Sequence, residues 1–246
     1  QLTLKSKILS ATLYPAIVSI IALVIVIFLV SYVVPQVASV FAGSKRSLPL
    51  LTSIMLAISA FIRQQGVWLV LAALAAAFAG LAALRLPHIR LSFDAALLKL
   101  PLIGNLARGY NSARFSQTLS MLAAAGVPIL KALQAAAETL SNQAMRRDAL
   151  EALVQVREGA PLASALAGKK RFPGLLAMFA RLGEQTGTLP TMLQRAAQQL
   201  AQDVQRRAMA LATVLEPLLI VGMGAVVMLI VLAVLLPIIQ LNTWVR

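Results

Sequence analysis

Two uncharged runs, each bracketed by prolines at the same spacing, constrain this chain more than any other feature: Pro15 to Pro35, and Pro217 to Pro237, 202 residues further on. Aligned, Leu13-Tyr14-Pro15 falls on Leu215-Glu216-Pro217, and Val33-Val34-Pro35 falls on Leu235-Leu236-Pro237. Twenty residues at about 1.5 Å of rise each make roughly 30 Å, the hydrocarbon thickness of a bilayer, so both runs are expected to be membrane helices. A repeated span predicts that the element before it repeats too, and the roughly hundred residues ahead of Pro217 have no counterpart ahead of Pro15. An upstream copy of that element is expected.

Composition fits a membrane protein carrying one water-facing domain. Hydrophobic residues make up 60% of the chain and charged residues 12%, against about 25% charged in an average soluble domain. Sixteen of the 22 Lys and Arg and seven of the eight acids lie between Arg85 and Arg207, leaving that segment with an excess of nine positive charges. With zero cysteines there is no disulfide framework, thiolate metal site or cysteine nucleophile. His88, the one histidine, leaves little room for the commonest acid/base chemistry. Residues Gln1 to Lys7 lack a signal-peptide pattern, so the first span is expected to be retained.

No charge occurs between Lys7 and Lys45 or between Arg63 and Arg85, and only Glu216 lies between Arg207 and Arg246. Transmembrane helices are therefore expected at 14–36, 66–84 and 217–238. The second is rich in alanine and glycine, including Ala75, Ala76, Ala77 and Gly80, which predicts close packing against neighbouring helices. Lys5 and Lys7, then Arg85, Arg90, Lys99 and Arg108, and finally Arg206 and Arg207 flank the spans on one side, and the positive-inside rule makes those flanks cytoplasmic. The connection at 37–65, with the weaker signal of Lys45, Arg46 and Arg63, and the tail at 239–246 should lie on the far side. Leu48 to Ile62, interrupted by Pro49, Thr52, Ser53 and Ser59, reads as an interfacial helix, with a fourth span as the alternative.

From Tyr110 onward apolar residues recur at helical spacing and breakers fall at regular intervals. A helix from about Ser112 ends at Gly126-Val127-Pro128, and Pro128 opens the next as a first-turn residue. Ser141 or Asn142 caps a third helix that ends by Gly159. Pro161 starts a short fourth, Phe172-Pro173 opens a fifth that stops at Gly183, and Pro190 begins a sixth that continues toward Glu216-Pro217. The fold expected is all-α: three transmembrane helices plus one cytoplasmic antiparallel six-helix bundle at 110–216. Residues 1–13 then end the upstream domain, and 85–109 form a cytoplasmic linker.

The residues Arg114-Phe115-Ser116-Gln117-Thr118-Leu119, Gly126-Val127-Pro128, Phe172-Pro173, Gly183-Glu184-Gln185-Thr186-Gly187-Thr188-Leu189, Glu216-Pro217 and Leu235-Leu236-Pro237 together resemble the type II secretion protein F family. That family also contains the platform proteins of type IV pili. Tyr14-Pro15, Val33-Val34-Pro35-Gln36-Val37 and Leu48-Pro49 with Thr52 extend the likeness over nearly the whole chain. The resemblance implies a multi-pass platform protein of the bacterial inner membrane, with no enzymatic activity and no cofactor. It implies a chain that works beside a cytoplasmic assembly ATPase, other inner-membrane assembly components and pilin-like subunits, as a homo-oligomer in contact with membrane lipid. The family's first domain has a calcium site associated with positions resembling Gln117, Glu184 and a nearby acid. Thr188 and Pro190 stand where the acid is wanted, so no metal is expected here.

Two readings stand for Glu184 between Gly183 and Gly187: a contact surface for a partner, or a carboxylate satisfying turn amides or an arginine. Glu216 reads as a solvated residue at a helix entry, because Tyr14 holds the equivalent place in the first repeat. Lys169-Lys170-Arg171 and Arg146-Arg147 are either solvated loop charge or contacts to lipid headgroups or an acidic partner face. Nucleic acid is not expected, since basic excess is usual in a domain facing anionic lipid. His88 should sit at the membrane edge. No Gly-Lys-Ser/Thr loop, His-Glu-x-x-His or Ser-His-Asp set occurs. A transporter or channel component is the alternative from another class, but Glu216 would be its only ionisable pathway residue.

Overall fold

A computed structural model describes residues 2–41 and 50–242, and those residues are helical with no strand among them. Lys45, Arg46, Leu48 and Pro49, and the tail from Thr243, lie outside the described residues. The chain divides into two compact units, one built on Ile8–Ala79 and the residues from Ala210 onward, the other on Gly80–Met209 with the start of the first helix. Among the described residues three helices are long and apolar enough to cross a membrane, running over Ala16–Gln36, Leu50–Ala83 and Leu189–Leu236.

In the first unit, α1 (Leu2–Phe28) passes through Pro15 and is followed by a π-helical turn, Leu29–Val33, and then α2 (Val34–Phe41). The prolines that bracket the two uncharged runs, Pro15, Pro35, Pro217 and Pro237, all lie inside helices that continue past them. At Pro35 the reason is visible. Proline removes one amide from the ladder and its ring presses on the carbonyl four residues back, and the preceding turn widens so that the Val34 amide donates to Leu29 O, five residues back.

Helix α3 (Leu50–Ala83) is one uninterrupted element, so the described part of the expected interfacial helix, Leu50–Ile62, leads into the second span without a break. Buried Ser59 Oγ has no hydrogen-bond partner among the described residues, while two other hydroxyls of the helix find carbonyls, Ser53 Oγ donating to Leu50 O (2.8 Å) and buried Thr52 Oγ1 to Ala233 O (2.7 Å). Around that bond Val30, Val34 and Ile230 form a small core with Met55, Leu56 and Ile62 packed on it. The C-terminal part behaves differently. From Val67 to Ala82 every residue is exposed, so the alanine-rich face expected to pack closely is not covered among the described residues.

The second unit is a helical bundle. It holds α4 (Pro87–Leu97), α5 (Ile103–Ala124), α6 (Ile129–Glu138), α7 (Gln143–Arg157), α8 (Leu162–Ala167) and α9 (Gly174–Thr186), with the first part of α10 (Leu189–Asn242). From α5 to α9 successive helices pack on one another, and α4 packs on α7. Phe115, Leu119, Leu133, Met145, Leu176 and Leu193 are fully buried at its centre. The stretch 85–109, expected as a linker, is mostly helix: α4 sends Leu91 and Ala95 against the core, and Leu98 is buried in it.

One device repeats at two of the turns. Gly126 and Gly159 adopt φ of 79° and 97°, values that cost a residue with a Cβ. The next amides, Val127 and Ala160, then reach back to Leu122 O and Gln155 O at 3.0 and 2.9 Å, the wide closing bond of a Schellman ending. Pro128 and Pro161 follow as N-cap residues, with φ near −60° and ψ extended, one place earlier than the first-turn position expected for Pro128. Asn142, rather than Ser141, caps α7 by accepting from the Met145 amide at 3.0 Å.

Candidate functional site

The segment from Gly183 to Leu189 joins α9 to α10, and each distinctive residue in it has a mechanical reason. Gly183 lies where the two helices touch: a Cβ built there would stand 2.7 Å from Leu189 Cα and 3.1 Å from Met192 Cβ. Gly187 takes the left-handed conformation (φ 70°), and the Thr188 amide closes the helix end on Gly183 O at 3.0 Å. Thr186 Oγ1 donates to Leu182 O and lies 2.6 Å from Thr188 Oγ1.

Glu184 acts away from its own turn. The Leu162 amide donates to its Oε1 (2.6 Å) and the Ala163 amide to its Oε2 (3.2 Å). These are the first amides of α8, whose N-cap is Pro161 and therefore offers no side-chain acceptor. A carboxylate from α9 thus supplies the cap that α8 lacks, with the negative charge at the positive end of the helix. Of the two readings of Glu184, the geometry carries the one in which it satisfies turn amides. Beside it Pro161, Ala163, Ser164, Arg181 and Gln185 line an open depression, whose rim of exposed guanidinium, hydroxyl and amide groups is suited to polar recognition.

The remaining sequence-selected residues are mostly scaffold. Phe115 and Phe172 meet with ring centroids 5.3 Å apart and planes tilted by 49°, a favourable aromatic geometry that ties α5 to the turn before α9. Pro173 is the N-cap of α9. The Arg114 guanidinium lies over the Tyr110 ring at 5.8 Å, within cation–π range. Gln117 is exposed and makes no side-chain hydrogen bond among the described residues, while Glu216 and Pro217 are exposed on α10. The structure therefore groups Glu184 with its flanking glycines, and Phe115 with Phe172, and does not join Gln117 to the Glu184 turn. Among the described residues no three acidic or histidine side chains converge as a metal-binding group.

The basic cluster is absorbed into the fold. Arg171 Nη1 lies 2.7 Å from Oδ1 of buried Asp148, and Lys169 Nζ lies 2.6 Å from Glu151 Oε2, with Arg147 3.7 Å from Oε1. The Lys169 hydrogen bond, aided by the charges of Lys169, Arg147 and Arg171, holds the Glu151 carboxyl below the usual carboxylate range. Of the cluster only Lys170 is exposed without an ion pair among the described residues.

A polar joint at the start of α7 has no motif in the sequence. Asn111 Oδ1 accepts from the Ser141 amide (3.0 Å), the Ser141 hydroxyl (2.9 Å) and the Asn142 amide (3.3 Å). Asp94 Oδ2 accepts from the Gln143 amide at 2.7 Å, and Asn142 Nδ2 donates to Asp94 O. The one available signal is an isolated acid in a basic segment otherwise read as a linker.

Comparison with known proteins agrees with this architecture. The family model for the type II secretion system (T2SS), protein F, matches residues 115–237. A type II secretion system protein F of Pseudomonas aeruginosa is 39% identical over 238 residues, covering 97% of this chain and 59% of that protein. The Vibrio cholerae protein of the same name is 35% identical over 239 residues, covering 97% and 59%. A type IV pilus assembly protein PilC of Thermus thermophilus is 35% identical over 242 residues, covering 98% and 60%. The chain thus spans about three-fifths of the length of these curated relatives. With its helical bundle, three membrane-length helices and matching motifs, the chain belongs to the type II secretion system protein F family.

Proposed function

We propose that this chain is an inner-membrane platform protein of a type II secretion system, with its bundle on the cytoplasmic side, where it couples an assembly ATPase to the building of a pseudopilus from pilin-like subunits. The observation that carries the reading is α10, one helix from Leu189 to Asn242, which starts at the Gly183 contact and ends in an apolar span. A continuous helix of that kind supports mechanical transfer between a partner at the bundle and subunits in the bilayer. A scaffold role without chemistry of its own is consistent with acids committed to caps and ion pairs: Asp94, Asp148, Glu151 and Glu184 all hold partners within the bundle.

Photocrosslinking tests this. A crosslinker placed at exposed Gln185 and at Lys170 in an actively secreting cell is expected to capture the ATPase, and a scan of the bundle surface that captures none would sink the proposal. The pilus relatives at similar identity support a second reading, a type IV pilus platform. Complementation separates them: the chain, within its full-length protein, restores either export of secreted proteins or surface pili to a strain lacking its own platform.

A further inference from the structure

The turn leaving α3 and the helix after it carry a surface that neither the bundle nor the proposed partners use. Helix α4 is apolar on two opposed faces. Leu91 and Ala95 pack inward, while Leu86, Ile89 and Phe93, at helical spacing on the other side, are 56, 41 and 50% exposed. Beside that outer face Leu81, Leu84, Arg85, Arg90, Phe93 and Asp94 line one open depression. Its acid, Asp94, is engaged by the Gln143 amide, and neither Arg85 nor Arg90 has a carboxylate partner among the described residues. The depression therefore presents two unpaired guanidinium groups above walls of leucine and phenylalanine.

We propose that α4 is an interfacial helix whose outer face lies in the headgroup region of the bilayer, with Arg85 and Arg90 holding the phosphate of an anionic glycerophospholipid. Two observations choose lipid over a protein partner. The surface continues, through only Leu84, Arg85 and Leu86, from α3, a helix long and apolar enough to cross a membrane, with no residue of its most apolar stretch buried, so the element that delivers it is itself suited to lipid. The charge pattern also complements a phosphodiester: guanidinium forks bind phosphate oxygens in two-point geometry, and apolar residues interleaved with cations characterise helices that lie in the membrane interface. An anionic lipid here would fix the angle at which the bundle's first helix leaves the bilayer.

Because the chain has no cysteine, Phe93→Cys supplies a single site for an environment-sensitive fluorophore. The full chain is reconstituted into phosphatidylcholine vesicles with and without phosphatidylglycerol, each lipid supplied in turn with brominated acyl chains as a quencher. Blue-shifted emission quenched by both lipids is expected, with phosphatidylglycerol preferred by up to about 30-fold, the limit set by two cations each contributing about a fivefold attraction to an anionic surface. Arg85→Gln with Arg90→Gln should keep the quenching and bring the preference close to one. Ile89→Cys, on the same face, should give the same pattern, so that local damage from one substitution does not decide the result. Water-like emission at both sites, untouched by brominated lipid, overturns the proposal. So does shielding that varies with protein-to-lipid ratio, which would mark a second copy as the occupant, or a phosphatidylglycerol preference that survives loss of both arginines.

Discussion

Replacing Glu184 by alanine should loosen α8 specifically. Among the described residues the carboxylate is the sole side-chain acceptor for the first amides of that helix, at 2.6 and 3.2 Å, and the residues that own those amides, Leu162 and Ala163, are each 2% exposed. Leaving a buried donor unsatisfied costs about 1–3 kcal/mol. Glu184 itself is exposed, so water entering where the side chain stood recovers part of that, and the loss should resemble that of a helix N-cap, about 1–2 kcal/mol. At 1.4 kcal/mol per tenfold, amide exchange in the peptide covering 162–165 should accelerate by about 5- to 30-fold. Glu184→Gln keeps one acceptor oxygen and should show a smaller acceleration. The assay is hydrogen exchange with mass spectrometry on the full chain in detergent, with the α6 peptide as internal reference. Unchanged exchange in 162–165 would refute the capping role and return Glu184 to the pool of residues free for a partner.

Gly183→Ala forces a methyl against the Leu189 backbone and should destabilise by about 1–3 kcal/mol, as overpacking does, whereas Gly66→Ala, with nothing within 4 Å of the added atom, should be neutral or mildly stabilising; thermal unfolding in detergent compares them, and equal midpoints refute the contact. Thr52→Val removes the bond to Ala233 O and should cost about 0.6 kcal/mol, the average for such bonds between membrane helices, read as a lowered unfolding midpoint in lipid-like detergent. The depressed Glu151 carboxyl contributes stability above its unfolded value that is lost as pH falls through the lower folded one. Its side chain is 52% exposed, so the contribution stays below about 1 kcal/mol; Lys169→Met should lower the midpoint at pH 7 and lower it less in acid as the carboxyl becomes protonated, and an equal drop across that range rules the pair out as the cause.

The bundle was legible in the sequence wherever its signals are local. Gly126-Val127-Pro128 and Gly159-Ala160-Pro161 stop one helix and start another within three residues, and the structure places breaks at both. Asn142 could be read as a cap for the same reason. Glu184 and Asp94 could not, because each caps a helix start 22 or 49 residues away in the chain, and that pairing exists only after the bundle closes. Membrane segments misled in the opposite way. Proline and hydroxyl residues suggest breaks in a water-soluble helix, but next to other helices their backbone and side-chain groups are re-satisfied, as Thr52 and the widened turn before Pro35 illustrate. The basic run Lys169-Lys170-Arg171 looked like free charge because its partners, Asp148 and Glu151, sit on the previous long helix.

The bare flank of α3 from Val67 to Ala82 has a practical meaning. Apolar exchanges there disturb no buried side chain among the described residues, so their effects report chiefly on whatever surrounds them in the assembled apparatus. A saturation library over that stretch, scored in living cells, would draw the outline of those neighbours directly, free of the folding defects that confuse such maps elsewhere.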